Sequence, residues 1–329
     1  MGGQLLSGGV LTIADADLTL VGTTLGEALG NTFRTCPDVD GDSLPDLWVG
    51  APGWGDGSNG YGRAYLFGST QMQGASELLS SEAYANFTGD WEFGEFGYSL
   101  AGLPDLDGDG LGESALAARG GDGVVYVLLG STIQGGGSFG PADADWTITG
   151  SSADGFGEEM AVMDDADGDS LSDLLVVGPY SATRILRGAT ILAGGPSPLS
   201  NTLPQVLTPG FLSHVGPSGD VNADGVSDIL VGQTGWGAYV GNPPHRLYQG
   251  LACIGFGGPW LSSASAVLDL SSSGFCWAGA APGASFGSGP TALGDLDGDG
   301  DADLVVGSAN ASPNGLASAG EVHIFLSPY

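Results

Sequence analysis

A nine-residue acidic loop, repeated five times, constrains the fold of this 329-residue chain more than any other feature. Each copy places an oxygen-bearing side chain at its positions 1, 3, 5 and 9. In chain order these side chains are Asp38, Asp40, Asp42 and Asp46; Asp105, Asp107, Asp109 and Glu113; Asp165, Asp167, Asp169 and Asp173; Asp220, Asn222, Asp224 and Asp228; and Asp295, Asp297, Asp299 and Asp303. Carboxylates this close together repel one another unless a cation lies between them. The pattern therefore predicts a metal site in every loop.

The ligand chemistry of the loops favours calcium. Ca²⁺ takes about six to eight oxygen ligands in a flexible geometry, whereas Mg²⁺ requires a strict octahedron and keeps its waters. We expect the backbone carbonyl at position 7 to complete each ligand set. Those carbonyls belong to Leu44, Leu111, Leu171, Val226 and Asp301. The sequence thus predicts about five Ca²⁺ ions, one for each loop.

The residues after each loop argue against an EF-hand, which needs a glutamate at position 12 and helices on both sides. Position 12 is instead apolar in every copy: Val49, Leu116, Val176, Val231 and Val306. It lies in a short apolar run bounded by Gly and Pro, which is typical of a buried strand. Each loop therefore joins two strands. An ordinary Asp-Gly hairpin turn is the alternative for a single copy, and the fivefold recurrence favours the metal.

The repeat period predicts the fold class. The first Asp of each loop falls at residues 38, 105, 165, 220 and 295, and a period of roughly 50 to 75 residues with several strands per unit is typical of a β-propeller. We predict one all-β domain over residues 1–329, with five blades of four antiparallel strands. The predicted blades are 23–90, 91–151, 152–210, 211–274 and 275–329. In the fourth blade, the fourth strand is predicted at Ala264–Leu270.

The fifth unit ends after its third strand, and the chain's start supplies a candidate for the fourth. Residues 14–22 are a near copy of residues 142–150, which form the predicted fourth strand of blade 2. We therefore predict that residues 1–22 close blade 5, with 10–22 pairing with Glu321–Phe325. Such closure hides edge strands. Completion of a neighbouring molecule's blade instead would give an open head-to-tail assembly, and both versions stay open at this point.

These residues resemble a known family. The run Asp46-Leu-Trp-Val-Gly-Ala-Pro52 and the Phe-Gly pairs at Phe96, Phe156 and Phe286 are similar to the FG-GAP repeat of integrin α-subunit propellers and of many bacterial surface proteins. The resemblance covers nearly the whole chain and implies a β-propeller. It departs from the integrin pattern in number, because that ring has seven blades and this sequence shows five. It also lacks the integrin leg domains, so partner specificity does not carry over.

Charge narrows the range of partners. The formal net charge is −32, and the basic residues are six arginines. Nucleic acids and anionic membranes both require a basic face, so neither is an expected partner. No stretch reaches the roughly 20 apolar residues of a membrane span, and no signal peptide is visible. Because millimolar calcium occurs outside cells, we expect a secreted or cell-surface protein.

Catalysis is not expected. The histidines are His214, His245 and His323, and none has the spacing of a metal or nucleophile site. The loops between the second and third strands are better candidates for binding, since they hold aromatic residues. Trp54, Tyr61, Trp236 and Tyr239 could hold a glycan or a protein partner. The alternative is that they pack under their own loops.

Two further features concern covalent chemistry. Cys253 and Cys276 flank a strand-like segment and could form a disulfide across a hairpin. Asn86 and Asn310 fit the glycosylation sequon. Cys36 is expected to be a small buried side chain.

The sequence as a whole favours a non-catalytic, calcium-stabilised extracellular propeller with a structural or adhesive role, acting on a protein or glycan at the cell surface. Two alternatives remain: a subunit that assembles with copies of itself by strand exchange, and a glycan-binding lectin. A secreted hydrolase on the same scaffold is a weaker candidate.

Overall fold

The protein is described from a computed structural model, which covers residues 16–55, 60–90, 94–150, 156–178, 183–194, 203–207, 214–216, 219–235, 239–240, 245–246, 249–263, 266–292, 295–298 and 302–326. Strands dominate this part of the chain, which confirms the all-β prediction. The strands of the first half are β1 (Thr19–Val21), β2 (Phe33–Cys36), β3 (Asp46–Ala51), β4 (Arg63–Phe67), β5 (Glu77–Leu79), β6 (Ala85–Thr88), β7 (Phe96–Leu103), β8 (Glu113–Ala118), β9 (Val124–Leu128), β10 (Gly137–Phe139), β11 (Trp146–Thr149) and β12 (Glu159–Met163). Those of the second half are β13 (Asp173–Val177), β14 (Arg184–Leu186), β15 (Gln205–Leu207), β16 (His214–Gly216), β17 (Ile229–Gln233), β18 (Tyr239–Val240), β19 (His245–Arg246), β20 (Leu251–Gly255), β21 (Val267–Asp269), β22 (Phe275–Ala278), β23 (Phe286–Ala292), β24 (Leu304–Ser308) and β25 (Glu321–Phe325).

The helical segments are single turns that connect strands. The α-helices are α1 (Ser69–Met72), α2 (Gly130–Ile133), α3 (Gly188–Leu192) and α4 (Leu270–Ser273). The 3₁₀ turns are Ser80–Glu82, Pro141–Asp143, Pro259–Ser262 and Pro313–Gly315. No helix in the described ranges is long and apolar enough to cross a membrane.

Five antiparallel sheets follow one another along the chain, and each contains one acidic loop between its first two strands. Sheet 1 is β2-β3-β4-β6, sheet 2 is β7-β8-β9-β11, sheet 3 is β12-β13-β14-β15, sheet 4 is β16-β17-β20-β22, and sheet 5 is β23-β24-β25. The second strand of each sheet is the apolar run that follows the loop. In β8 every residue from Glu113 to Ala118 is buried, because both faces of a sheet in the middle of the row are covered.

The sheets pack face to face in a row, so the core consists of the layers between them. Strand β7 lies against both β2 and β12, and β16 lies against β12 and β23. Phe87 of β6 stacks on Phe96 of β7 with ring centroids 4.7 Å apart. The rings of Trp277 in β22 and Phe325 in β25 lie 5.0 Å apart in a tilted arrangement. A row of sheets joined by such layers is consistent with a propeller.

Short parallel strands join neighbouring sheets at their outer edges. Strand β10 precedes the fourth strand of sheet 2, and it pairs with β6, the fourth strand of sheet 1. Strand β21 pairs with β15 in the same parallel direction. A segment of the second unit therefore extends sheet 1, and a segment of the fourth unit extends sheet 3.

The described part of the N-terminal strand pairs with the first unit. Within the described residues, β1 pairs in parallel with β5 of the first unit, with Leu20 opposite Leu78, and not with Glu321–Phe325. Leu20 packs on the Tyr65 and Phe67 face of sheet 1, and these local contacts hold the strand there. The fourth strand of sheet 1, β6, pairs in parallel with β10 of the next unit. Strand β1 pairs with β5 in the same way, so β1 has the position of a fourth strand in a unit that would precede sheet 1. Residues 10–15 lie outside the described ranges.

The predicted end of the fourth unit at residue 274 is also too early. The fourth strand of sheet 4 is β22, which pairs with β20. The segment predicted for that role, Ala264–Leu270, contributes β21 to the edge of sheet 3. Both segments are short, β-prone runs, so propensity alone does not separate them.

Candidate metal centres

The backbone of the acidic loops turns twice through the left-handed region. Position 4 has φ of 89° at Gly41, 82° at Gly108, 84° at Gly168, 56° at Ala223 and 87° at Gly298. Position 6 has φ of 68° at Ser43, 91° at Gly110, 71° at Ser170 and 90° at Gly225. Glycine adopts this region without steric penalty, which explains its recurrence at these positions. The two turns bring the side chains of positions 1, 3 and 5 to one side.

The first side chain of each loop organises the turn by accepting backbone N–H groups. Asp38 Oδ1 accepts from Gly41 N at 2.6 Å and from Asp42 N at 3.1 Å, while Oδ2 accepts from Ser43 N at 2.6 Å. Asp105 and Asp165 make the same three bonds in their loops. Four loops of different sequence thus converge on one conformation, since Asp220 also accepts from positions 5 and 6.

The ninth side chain lies at the buried base of each loop. Asp46, Glu113, Asp173, Asp228 and Asp303 are between 0 and 1 % exposed. Asp173 Oδ2 accepts from Ala166 N at 2.9 Å and its Oδ1 accepts from Gly188 N at 2.9 Å, at the start of α3. Asp46 and Asp228 likewise bind the backbone N–H groups of Ser69 and Gly257. The ninth residue therefore ties the loop to the end of the third strand.

Glu113 differs from the aspartates at this position. Its Oε2 accepts from Leu106 N at 3.0 Å, but its buried Oε1 has no hydrogen-bond partner. An ionised carboxylate oxygen without a partner is strongly unfavourable in the interior. Glu113 belongs to the same cluster as Asp105 and Asp107, so a cation bound there would offset the cost of its buried carboxylate.

Burial raises the pKa of these carboxyls. The pKa of Asp173 and that of Glu113 rise to about 7, and that of Asp228 to about 6, chiefly through desolvation. Neighbouring loop aspartates raise them further, while backbone N–H groups act in the opposite direction. Without a counter-charge the site favours the protonated form.

Carboxylate oxygens converge in four of the loops. The groups Asp38, Asp40 and Asp42; Asp105, Asp107 and Glu113; Asp165, Asp167 and Asp173; and Asp295, Asp297 and Asp303 each bring one oxygen per residue within 4.8 Å of the others. Asp220, Asp224 and Asp228 of the fourth loop are accompanied by the amide of Asn222, whose Nδ2 donates to Asp224 Oδ2 at 3.0 Å. Asp299 and Asp301 lie outside the described residues. These oxygen-only sets fit a hard divalent cation.

Neighbouring loops are also hydrogen-bonded to each other. Gly112 N, at position 8 of the second loop, donates to the position-1 carbonyl of Asp38 at 2.7 Å. Ser227 N, at position 8 of the fourth loop, donates to the Asp165 carbonyl at 2.6 Å. Position 8 of the first loop is Pro45, which has no N–H to donate.

Several contacts at the loops were missed by the sequence reasoning. Asp42 Oδ2 accepts from Thr70 N at 3.0 Å and from the Thr70 hydroxyl, so the start of α1 packs on the loop. The signal in the sequence is a recurring glycine after the third strand: Gly68, Gly130, Gly188 and Gly257. A Cβ at any of these glycines would clash with loop atoms, which is why the strand end approaches so closely.

Two of the candidate binding aromatics, Trp54 and Tyr61, lie in the described part of the chain. The Trp54 ring lies 3.5 Å from the Arg63 guanidinium and packs on sheet 1, as the alternative interpretation expects. Tyr61 lines a cavity of about 350 Å³ between sheets 1 and 2, together with Asp90 and Asp122. Trp236 and the side chain of Tyr239 lie outside the described part.

The cysteines and sequons have distinct surroundings. Cys253 and Cys276 lie opposite each other on β20 and β22 and form a disulfide with a Cα–Cα distance of 4.1 Å. Cys36 is a buried free thiol. Asn86 donates its amide to Ser138 Oγ at 2.9 Å within the β6–β10 pair. Asn310 is exposed and donates to Ser285 Oγ at 2.9 Å.

One serine–histidine pair resembles part of a hydrolytic site. His323 Nε2 lies 3.3 Å from Ser308 Oγ and 3.6 Å from Glu321 Oε2. In a Ser-His-acid triad the acid binds Nδ1 and leaves Nε2 to the serine. Here the serine and the acid share the same nitrogen, so this arrangement cannot act as a triad.

Comparison with known proteins finds a known repeat around the first and the last acidic loop. The FG-GAP repeat model matches residues 29–67 and 286–325. The chain is 30% identical over 201 residues to integrin alpha-5 of Xenopus laevis, which covers 58% of this chain and 19% of that protein. It is 32% identical over 186 residues to integrin alpha-PS2 of Drosophila melanogaster (50% and 12% covered) and 33% identical over 189 residues to human integrin alpha-IIb (54% and 17% covered).

The aligned part therefore spans less than a fifth of each of these relatives. The backbone also superposes on the BBS1N chain of a complex with ARL6DN, with a TM-score of 0.47 and 10% identity over 91% of this chain and 70% of that one. The family model and the Asp loops with their Phe-Gly pairs point to the same repeat: the chain contains FG-GAP repeats at residues 29–67 and 286–325 and is similar in sequence to integrin α-subunits.

Proposed function

We propose that this chain is a calcium-stabilised β-propeller module of five blades that serves a structural or adhesive role outside the cell and catalyses no reaction. The observation that carries the proposal is the buried carboxylate at the base of each acidic loop. Asp173 and Glu113 face further loop carboxylates in a cluster, and burial raises their pKa. A divalent cation among these oxygens supplies the missing positive charge.

Calcium fits the loops better than magnesium. The side chains at positions 1, 3, 5 and 9, with the carbonyl at position 7, offer oxygens only, and they do so on a turn with two left-handed residues. Such a turn adapts to the irregular coordination of Ca²⁺. The ion's role would be structural, because it would link the loop to both flanking strands.

The extracellular part of the proposal has two supports. The relatives are named integrin α-subunits, and the disulfide between Cys253 and Cys276 suits an oxidising compartment. A protein at the cell surface is the proposed partner. A glycan is less favoured, because Arg63 covers one face of Trp54.

Calcium titration of chelator-treated protein by calorimetry tests the proposal. We expect about five sites, one per loop, and weaker binding of magnesium. Asp107→Ala should remove one site, because it deletes a ligand from the second loop only. The matched control is Asp122→Ala, which removes an exposed aspartate of the same sheet outside the loops. A protein that binds no calcium, or binds it equally well without the loop aspartates, would contradict the proposal.

A further inference from the structure

A cavity of about 350 Å³ lies between sheets 1 and 2, at the strand ends that are opposite the acidic loops. Its lining includes Phe96 at the start of β7 and Val124 at the start of β9. The acidic loop of sheet 2 joins the other end of β7 to β8. The cavity is therefore separate from the candidate metal centres, and the side chains around it have no part in them.

Three buried aromatic rings hold one side of the cavity in place. Phe96 and Tyr126 line it, and the Phe87 ring stacks on Phe96 with the centroids 4.7 Å apart. The Tyr126 ring lies 5.2 Å from Phe87 and 5.8 Å from Phe96. Phe87 and Phe96 are 0% exposed and Tyr126 is 6% exposed. Such close packing fixes the Tyr126 ring, so its hydroxyl has a defined position at the cavity.

The hydroxyl of Tyr126 lacks a hydrogen-bond partner among the described residues, although the residue is buried at the cavity wall and a buried tyrosine hydroxyl usually has one. The equivalent tyrosine of sheet 1 is Tyr65, since Tyr65 pairs with Val49 as Tyr126 pairs with Leu116. Tyr65 donates its hydroxyl to Glu27 Oε2 at 3.1 Å. A carboxylate of the same chain thus satisfies Tyr65, whereas the Tyr126 hydroxyl is left for a ligand.

The charge of the cavity is negative. Asp90 and Asp122 line it, and none of its described lining residues is basic. Burial, and secondly the Asp90 carboxylate, raise the pKa of Tyr126 to about 12, so the phenol is neutral at physiological pH and its oxygen accepts hydrogen bonds. In sheet 3 the equivalent of Tyr126 is Arg184, which pairs with Val176. Sheet 3 therefore supplies a cation at this position, and sheet 2 does not.

The fold does not require an acid at position 90. The fourth strands of sheets 1, 2 and 4 end in the same way, because a glycine N–H donates to the carbonyl of the glycine that precedes the third strand. The residues that follow these strand-ending glycines are Asp90, Ser151 and Ala280. The same bond thus forms before a neutral residue, and the carboxylate of Asp90 is not explained by the backbone of the turn.

We propose that this cavity binds an alkylammonium group, whether it is carried by a small amine or by a lysine side chain. The ammonium donates hydrogen bonds to the Asp90 carboxylate and to the Tyr126 hydroxyl oxygen, and Asp122 adds negative charge. Its alkyl chain lies against the aromatic wall at Phe96, where a cation is also attracted by the ring faces. The inference goes beyond the proposed function, because it concerns the opposite strand ends and involves no calcium.

NMR chemical-shift titration of the full chain with putrescine tests the proposal, in physiological salt with calcium at saturation. We expect saturable shifts of the backbone amides of Gly89 and Gly123, which line the cavity. Butanediol, the neutral counterpart of putrescine, should produce none. These two glycines report on the cavity itself, so non-specific attraction of the diamine to the acidic loops is recognised by shifts elsewhere.

Two variants test the named contacts. Asp90→Asn should weaken putrescine binding by about tenfold or more, because it removes the ionised acceptor. Tyr126→Phe should weaken it by about fivefold, because it removes the hydroxyl and keeps the ring in the aromatic cluster. Asp90 is exposed, so its replacement should leave the fold intact. Glu77→Gln, at an exposed glutamate of β5, is the control and should bind putrescine like wild type.

A blocked tripeptide with a central lysine distinguishes the two sources of the ammonium group. Tighter binding of the tripeptide than of putrescine would assign the cavity to a lysine of a protein, and weaker binding would assign it to a free amine. Equal binding of butanediol, unchanged affinity in Asp90→Asn, or shifts confined to the acidic loops would overturn the proposal. The proposed function fails on the calcium titration instead, so the two failures are distinguishable.

Discussion

At the scale of single residues, the acidic loops show what spacing alone predicts and what it does not. The pattern predicts oxygen ligands at positions 1, 3, 5 and 9, and the structure clusters three of these positions in four loops: positions 1, 3 and 5 in the first loop, and positions 1, 3 and 9 in the second, third and fifth. The burial of the side chain at position 9 was not predictable from the sequence, because it depends on the end of the third strand packing beneath the loop. Glu113 shows the consequence most clearly, since its Oε1 is buried without a partner.

The effect of Glu113→Gln on the free energy of unfolding should have opposite signs in metal-free and in calcium-loaded protein. In metal-free protein, the pKa of Glu113 is raised to about 7 by burial, so the folded state holds a proton that the unfolded state releases near pH 4.5. The free energy of unfolding of the wild type should therefore fall as the pH rises between about 4.5 and 7. The loss is about 1.4 kcal/mol for each unit by which the pKa is raised. Glutamine does not titrate, so the variant should not show this loss. Above pH 7 the variant should be the more stable in chelator, and the less stable in calcium.

Urea denaturation at several pH values, with and without calcium, measures this effect. Glu77→Gln, an exposed glutamate of β5, should leave both curves unchanged. A Glu113→Gln protein that is less stable than wild type in chelator above pH 7 would show that the carboxylate is not penalised by burial.

At the scale of elements, the acidic loops are hydrogen-bonded in two pairs, the first with the second and the third with the fourth. Ser227 N in the fourth loop donates to the Asp165 carbonyl in the third loop. Each of these two loops also contains the side chains proposed to bind a calcium ion. Ordering of one loop by metal should therefore favour ordering of the next. A hydrogen bond contributes about 1 kcal/mol, so we expect a coupling of a few-fold in affinity.

Hydrogen exchange of the segment 219–228 at graded calcium concentrations measures how calcium protects the backbone amides of the fourth loop, separately from the other loops. Disabling the third loop with Asp167→Ala should raise the calcium concentration that protects this segment. Ser227→Pro should abolish that dependence, because proline removes the N–H while Pro45 shows that the position accepts proline. Ser227→Ala keeps the N–H and should retain the dependence. Equal dependence in both Ser227 variants would exclude the hydrogen bond as the link.

Among the strands, those that follow a local sequence signal could be predicted, and those whose pairing joins distant segments could not. The second strand of every sheet was predicted, because it directly follows an acidic loop and has a buried apolar run. The parallel pairs β1–β5 and β15–β21 were not, since each joins segments about 60 residues apart from different units. Three-residue strands carry too little pattern to show a partner. The misplaced fourth strand of sheet 4 has the same cause.

At the scale of the whole molecule, the proposed calcium sites would link the acidity of the chain to its stability. The residues at the side-chain ligand positions include 19 of the 38 acidic residues of the chain, so removal of metal leaves half of the negative charge concentrated in five loops. Anything that binds only the folded state stabilises it. Because every sheet contains a loop, the stabilisation should extend over the entire row.

Thermal unfolding should separate this specific effect from general screening of charge. In chelator the melting temperature should fall steeply, and added calcium should restore it. Sodium chloride at matched ionic strength should restore only a small part, since screening does not supply the missing ligand contacts. A melting curve that is unaffected by chelator, or is restored equally by sodium chloride, would argue against metal-linked folding.

Pro45 has a mechanical consequence for a row of such units. The second and fourth loops each donate a backbone N–H to the loop before them, but proline at the same position of the first loop has no N–H. Any sheet that packs before the first would therefore lack this bond between loops. Under a pulling force such a contact should part before the contacts between sheets 1 and 2 and between sheets 3 and 4, which have the bond.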